Sequence, residues 1–333
     1  MKTLPLTKIK PALFYALVLT LLACNGPTVP GAFKNDKISS GKRDDFHQLN
    51  AQVLKVLKAN DPKGMKPFLS KDMVGNNIDR DVEHISNRLT DNEYDLLDEY
   101  YVANKYKDSD TVASQGGDVK RYGLRYHAVT QEMYFAYFAP KKPVNKYLIS
   151  LAYAKFDYGW KIIAMDVELY TVNGKTAPEL YALAKDQYDK KQYQAALNSA
   201  ELAANCWKPG LYWQYPDEID ATNFYLKLRA EVNMKYHYPI VLKQLATGPM
   251  ILRVYTKNAD NDGGTYPYIY YMTHFDLKDT KEVEKENMQI RDVVAKIMPG
   301  LTDANKYIYY SAFNKQPTGY EIVEHYDMVQ TVK

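Results

Sequence analysis

The sequence is poor in the residue types and motifs that usually reveal a familiar enzyme. Two cysteines in 333 residues exclude a disulfide-rich scaffold. The six histidines are scattered, and none stands at the H-x3-H or HExxH spacing that places two metal ligands on one helical face. The Gly-x-Ser-x-Gly, P-loop and Gly-x-Gly-x-x-Gly motifs are also missing. These absences favour a binding protein over an enzyme, and they suggest no metal or organic cofactor.

An excess of charge of one sign is missing as well. The formal net charge is +3, and the first three charged residues are Lys2, Lys8 and Lys10. Without these three lysines the 43 basic residues fall to 40, which equals the 40 acidic residues. Because coating nucleic acid requires a basic surface, we expect no nucleic-acid partner.

The apolar run near the start of the chain is short. Residues 12–23 carry no charge, but twelve helical residues span about 18 Å, against roughly 30 Å of hydrocarbon in a bilayer. A basic start, a short apolar stretch and small residues at its exit are typical of a secretory signal peptide. We therefore expect residues 1–23 to direct export.

The end of this run, Leu21-Leu22-Ala23-Cys24, resembles the lipobox of bacterial lipoproteins, although smaller residues than Leu22 are commoner at that position. The resemblance implies cleavage before Cys24 and acylation of Cys24 with diacylglycerol and a fatty acid such as palmitate. Residues 24–45 are rich in Gly, Pro, Ser, Asn and Lys, and they predict a flexible tether. The chain would then be an exported lipoprotein, anchored to a membrane of the bacterial cell envelope by its lipid. The alternative is an ordinary signal peptide with a buried cysteine nearby.

Residues 46–172 predict an α+β domain. Apolar residues at helical spacing predict helices over residues 46–59 and 78–89. An antiparallel hairpin is predicted next. Large and small residues alternate over residues 147–154, and the Asp-Tyr-Gly-Trp turn and a second long apolar strand follow. Helices followed by a curved antiparallel sheet resemble the NTF2-like (cystatin-like) cone, and the resemblance implies a pocket between helix and sheet.

Residues 173–236 predict a helical segment. Thr176 and Glu179 have the spacing of a capping box, which begins a helix. Alanines at close spacing then let two helices approach, and residues 177–209 resemble a single tetratricopeptide (TPR) hairpin. Residues 237–333 predict a small C-terminal α+β domain, which resembles no family. The predicted order is therefore an NTF2-like cone, a helical hairpin and a small α+β domain.

Few residues are candidates for chemistry. Asp166 and Glu168 lie two apart on one predicted strand, so both side chains point to the same face. If that face lines the cone, they form pocket candidates together with His127 for proton transfer or binding; otherwise they are surface charges. Cys206 ends an apolar helix face and is expected to be a buried small hydrophobe. The run from Asn258 to Gly263 imitates a calcium loop but lacks its final glutamate, so a β-turn is expected.

The expected function is a binding or assembly module with an envelope protein or a small ligand as its partner. The alternative is a small-molecule-binding protein or enzyme that uses the NTF2-like pocket. A third interpretation concerns the 31 tyrosines, which either suit half-buried strands or offer coplanar rings to sugars on one open face.

Overall fold

The computed structural model describes residues 29–74, 78–89, 93–106, 108–113, 121–260, 262–319 and 321–332. The predicted signal peptide, Cys24 and the first residues of the predicted tether lie outside this part of the chain. The architecture is mixed α+β, with 36% helix and 33% strand. None of the helices in the described residues combines the length and the apolar character needed to cross a membrane.

A strongly curled antiparallel sheet, which forms a half-barrel, is the centre of the first half. Its strands, in spatial order, are β1 (Gly31–Lys34), β2 (Tyr94–Ala103), β5 (Glu132–Pro140), β6 (Lys146–Phe156), β7 (Gly159–Val172) and β8 (Lys175–Thr176). A second sheet of three short strands consists of β3 (Ser109–Ala113), β4 (Gly123–His127) and β9 (Trp213–Gln214).

The chain before residue 46 differs from the predicted tether. Gly31–Lys34 pairs with β2, and the first helix, α1 (Ser40–Lys58), begins six residues before the predicted start. Residues 31–45 therefore belong to the folded body. The composition of this stretch did not predict a strand, because an edge strand depends on backbone pairing more than on apolar side chains. The only large apolar residue of β1 is Phe33, which stacks against Tyr101.

The two faces of the curled sheet carry separate cores. On one face pack α1, α2 (Pro62–Met65) and α3 (Ile78–Leu89), and that core includes Tyr134, Tyr153 and Val167. The other face packs against the three-stranded sheet and the segment around residues 202–221. Register shifts in the β6–β7 pairing interrupt the alternation of β7 side chains between the two faces of the sheet. Met165 and Val167 face the helices, whereas Ile163 and Leu169 pack on the opposite core.

Four helices and a third sheet complete the described part of the chain. The helices α4 (Ala177–Asp189) and α5 (Tyr193–Ala204) are joined by three residues, and α6 (Glu218–Tyr236) packs against them through Leu228 and Val232. The last sheet has the spatial order β10 (Ile240–Val241), β11 (Met250–Asn258), β12 (Thr265–Met272), β13 (Tyr307–Phe313) and β14 (His325–Thr331). One of its faces is covered by α7 (Thr280–Ile297), which connects the parallel pair β12 and β13.

Candidate functional site

A cleft of about 740 Å³ lies between β7 and the segment that joins α5 to α6. Asp166 and Glu168, both predicted as pocket candidates, line this cleft. The opposite wall comes from residues 204–213 and from the first two turns of α6. The cleft therefore forms where the edge of the curled sheet meets the helical segment.

Aromatic side chains form much of the wall. Trp207, Tyr212, Trp213 and Tyr225 all line the cleft, and both tryptophans are almost completely buried. Tyr122 stacks on Trp213 with the ring planes 10° apart. Because aromatic rings contact the Trp213 indole on several sides, this wall is rigid and apolar.

The carboxylates of the cleft differ in exposure, because Asp166 is half-buried and Glu168 is exposed. Burial raises the pKa of Asp166, and the Val167 backbone N–H, which donates to Asp166 Oδ1 at 2.8 Å, counteracts part of that rise. Burial also raises the pKa of Glu168, and the negative charge of Asp166 adds to the rise. Glu218 brings a third carboxylate, and Lys208 lies 3.5 Å from it on the exposed rim. The electrostatic interaction with His84 lowers both pKa values and Lys208 also lines the cleft, so the negative charge of the three carboxylates is compensated only in part.

Two buried donors beside the carboxylates have no hydrogen-bond partner among the described residues. One is the indole Nε1–H of Trp213, and the other is the hydroxyl of Ser150, the β6 residue that pairs with Asp166. Gly210 lets the chain approach this hydroxyl, because a Cβ at that position would overlap Ser150 Oγ and press on Tyr137. A buried donor without a partner is costly, and such donors cluster where a ligand or water completes the hydrogen bonding.

The third predicted candidate lies elsewhere. His127 is an exposed residue at the end of β4, where it pairs with Ser109, and it is not among the residues that line the cleft. The structure thus brings Asp166 and Glu168 together but separates them from His127. The reason is topological: His127 is on β4, which belongs to the three-stranded sheet and not to the curled sheet. The sequence contains no local signal for the pairing of β4 with the distant strand β9.

Two structural predictions are confirmed away from the cleft. Cys206 is buried, and burial raises the pKa of its thiol to about 12, so it behaves as a small apolar residue. The run around Asp262 is a turn between β11 and β12. The Asp262 carboxylate accepts hydrogen bonds from the Gly264 N–H and the Tyr266 hydroxyl, so the turn uses both of its oxygens.

The tyrosines of the last sheet are packed against one another. Tyr268 and Tyr309 stack with centroids 4.5 Å apart and planes 5° apart, and Tyr255 meets Tyr270 edge to face. Lys257 lies 5.0 Å from the centroid of the Tyr268 ring. These ring faces are occupied within the protein, which favours the strand interpretation over capture of sugars on open rings.

Comparisons with known proteins found no matching family model, no matching curated protein and no matching solved structure. The site must therefore be interpreted from its own residues. Sequence reasoning missed the aromatic wall, although a signal was present. Two of the three tryptophans, Trp207 and Trp213, stand six residues apart in a segment rich in Pro, Gly and Tyr.

Proposed function

We propose that the chain is a lipoprotein of the bacterial cell envelope, anchored to the membrane through Cys24, and that it acts as a binding module whose ligand site is the cleft at Asp166 and Glu168. The curled sheet with helices on one face supports the likeness to the NTF2-like cone. The alanine-rich contact of α4 with α5 supports the likeness to a TPR hairpin. The proposal needs no cofactor besides the covalent lipid and no nucleic acid.

One observation carries the proposed binding role. The cleft combines three carboxylates and a single lysine, Lys208, with an aromatic wall of two tryptophans and two tyrosines. Carboxylates beside an apolar aromatic wall are surroundings that stabilise an organic cation, because the carboxylates attract its charge and the wall packs against its methyl or methylene groups. We therefore propose that the ligand carries an ammonium, quaternary ammonium or guanidinium group.

The ligand class can be tested with matched probes. Choline and its neutral isostere 3,3-dimethyl-1-butanol have the same shape. So do Nα-acetyl-lysine methylamide and the corresponding derivative of 2-aminoheptanoic acid, in which a methyl group replaces the ammonium. We expect the two cations to change the fluorescence of Trp207 and Trp213, and the neutral partners to leave it unchanged. Equal responses to the charged and neutral probes, or no response to any, would contradict a cation site.

Variants assign the response to the cleft. Asp166→Asn combined with Glu168→Gln should weaken binding of the cationic probes at least tenfold, which corresponds to about 1.4 kcal/mol. His127→Ala is the matched control, because His127 lies outside the cleft, and it should bind like the wild type. If the anchor proposal is correct, Cys24→Ala abolishes labelling by a fatty-acid probe without changing the fluorescence titration, so the two parts of the proposal can fail independently.

A further inference from the structure

The chain enters the folded body at one particular end of the curled sheet. Gly31 pairs with Ala103, and Ala103 pairs with Glu132 on the next strand. The row continues through Lys155, which forms an ion pair with Glu132 and lies opposite Trp160. Five strands therefore end in one row beside the point where the chain arrives from Cys24.

This end must lie near the membrane if Cys24 carries the lipid, which is the part of the proposed function on which this inference rests. Six residues separate Cys24 from Gly31, and the seven Cα–Cα steps between them span at most about 25 Å. The strand β6 extends from this row for eleven residues, or roughly 35 Å, before it reaches the opposite end. At that opposite end Asn145 donates to the Thr265 hydroxyl of the last sheet, so this sheet is on the far side.

The loops at the near end expose apolar and aromatic side chains. Val29 is 74% exposed, Tyr106 in the β2–β3 loop is 70% exposed, and Val129 in the β4–β5 loop is 40% exposed. Tyr158 in the β6–β7 turn is 38% exposed. Four such residues on separate segments project from one end of one sheet, and tyrosine prefers the interface between water and lipid.

Lysines accompany these rings. Lys105 lies 5.2 Å from the centroid of the Tyr106 ring, and Lys71 lies 4.8 Å from that of Tyr158. Long lysine side chains beside rings at an interface can reach headgroup phosphates while their methylenes stay in contact with apolar groups. Asp108 and Asp157 lie on the same loops as Tyr106 and Tyr158, and their negative charge offsets that of the lysines. Insertion of the rings therefore contributes more to membrane binding than net charge does.

A cleft of about 510 Å³ opens at the same end. It is lined by Lys42, Lys155 and Lys161 together with Tyr158 and Trp160. Its two carboxylates are those of Asp45 and Glu132, and Glu132 accepts hydrogen bonds from Lys42 and Lys155. Lys161 donates to the Pro67 carbonyl, so all three lysines have partners within the protein and the cleft brings basic charge to this end of the sheet.

We propose that this anchor-proximal end, defined by Val29, Tyr106, Val129 and Tyr158, is a docking surface for the lipid bilayer that carries the anchor. The lipid holds the protein on the membrane, and the four side chains enter the headgroup region and orient the curled sheet upright. The last sheet then points away from the bilayer.

The test uses the acylated full-length chain in vesicles of phosphatidylethanolamine and phosphatidylglycerol at a ratio of about 3:1. Single cysteines replace Tyr106, Tyr158 or, as the control on α7, Met288, which is also exposed. They are labelled with the fluorophore NBD; Cys206 is buried and does not compete. We expect lipids with a doxyl quencher near the headgroup to quench NBD at positions 106 and 158 severalfold more strongly than at position 288.

The outcomes separate the docking surface from the anchor. If the chain floats with vesicles but shows equal quenching at all three positions, the docking surface is wrong and the anchor stands. If the chain does not float, both are wrong. In a second variant, Tyr106→Ser with Tyr158→Ser, flotation should persist while a label at Val129→Cys loses most of its quenching. Because both tyrosines are exposed, this variant is expected to fold; retained quenching at position 129 would contradict insertion of the rings.

Discussion

At the scale of single residues, the core under α1 contains a chain of buried hydrogen bonds. The Tyr134 hydroxyl donates to Glu99 Oε2 at 2.7 Å and accepts from Asn50 Nδ2 at 2.9 Å. The Tyr153 hydroxyl then donates to Asn50 Oδ1 at 2.8 Å. Glu99 is almost fully buried, and His47 at the surface lies 3.1 Å from its second oxygen. A carboxylate in such surroundings depends on its donors, because water cannot replace them.

Tyr134→Phe should therefore lower the free energy of unfolding by about 2 kcal/mol, since it leaves a carboxylate oxygen and an amide N–H buried without partners. Urea unfolding followed by circular dichroism measures this loss. Tyr326→Phe is the control: its hydroxyl donates to Glu284 at 2.7 Å on the surface, and its loss should cost less than about 0.5 kcal/mol. Similar losses in both variants would show that the buried network adds nothing beyond a surface bond.

The raised pKa values of Asp166 and Glu168 predict a pH dependence of stability. In the folded state both carboxyls hold their protons more tightly than in the unfolded chain, because burial disfavours the charged form. Their contribution to stability is therefore complete below their ordinary pKa values, near pH 4, and is lost as the pH rises through the raised values.

The double variant Asp166→Asn with Glu168→Gln should remove this loss of stability at higher pH. We expect the double variant to melt about 1–2 °C above the wild type at pH 7 and to show no such advantage at pH 3.5. Differential scanning calorimetry at several pH values measures the difference. An advantage that does not change with pH, or a variant less stable at pH 7, would indicate that the two carboxylates already have partners that compensate their charge.

At the scale of elements, α7 buries polar groups against the last sheet. Both carboxylate oxygens of Glu286 are buried without a hydrogen-bond partner among the residues that the structure describes. Tyr271 lies close enough that the Glu286 charge helps to raise the pKa of its phenol, which burial already raises. A buried, unpaired acid opposes the packing of an otherwise apolar helix face.

Glu286→Met should consequently stabilise the protein by about 1–2 kcal/mol, because it exchanges an unpaired acid for an apolar side chain of similar size. Thermal unfolding at pH 7 tests this, with Glu284→Met on the exposed side of the same helix as the control. A clear loss of stability in Glu286→Met alone would mean that the carboxyl has a buried partner, such as an internal water or cation.

Elements with local signals were predictable, and those made by distant segments were not. The sequence predicted α3 at residues 78–89 and the long β6–β7 hairpin, and the structure confirms both. It also predicted the capping box, in which Glu179 accepts from the Thr176 N–H. The strand β1 and the aromatic wall of the cleft escaped prediction because each depends on contacts across long stretches of chain. Gly31 pairs with Ala103, and Asp166 shares the cleft with the wall around Trp213.

At the scale of the whole molecule, a small hydrogen-bonded junction links the curled sheet to the last sheet. Asn173 in the β7–β8 turn donates through Nδ2 to the Thr265 carbonyl and accepts from the Thr265 N–H at 2.8 Å. Asn145 donates to the Thr265 hydroxyl at 2.8 Å. Since this junction lies at the opposite end from Gly31, it contributes to the orientation of the C-terminal half relative to the proposed membrane-facing end.

Asn173→Gly tests the junction without disturbing the turn. Asn173 has a φ of 51°, which glycine adopts freely, and the Asn-Gly pair forms a two-residue hairpin that Gly-Gly also allows. The variant should keep the hairpin but lose both bonds to Thr265, so we expect the Thr265 amide to exchange hydrogen about tenfold faster. Hydrogen–deuterium exchange with mass spectrometry measures this, with a peptide across the β6–β7 turn as the unchanged reference. If the Thr265 amide keeps its protection, other contacts hold the two sheets together, and Asn173 serves only the turn.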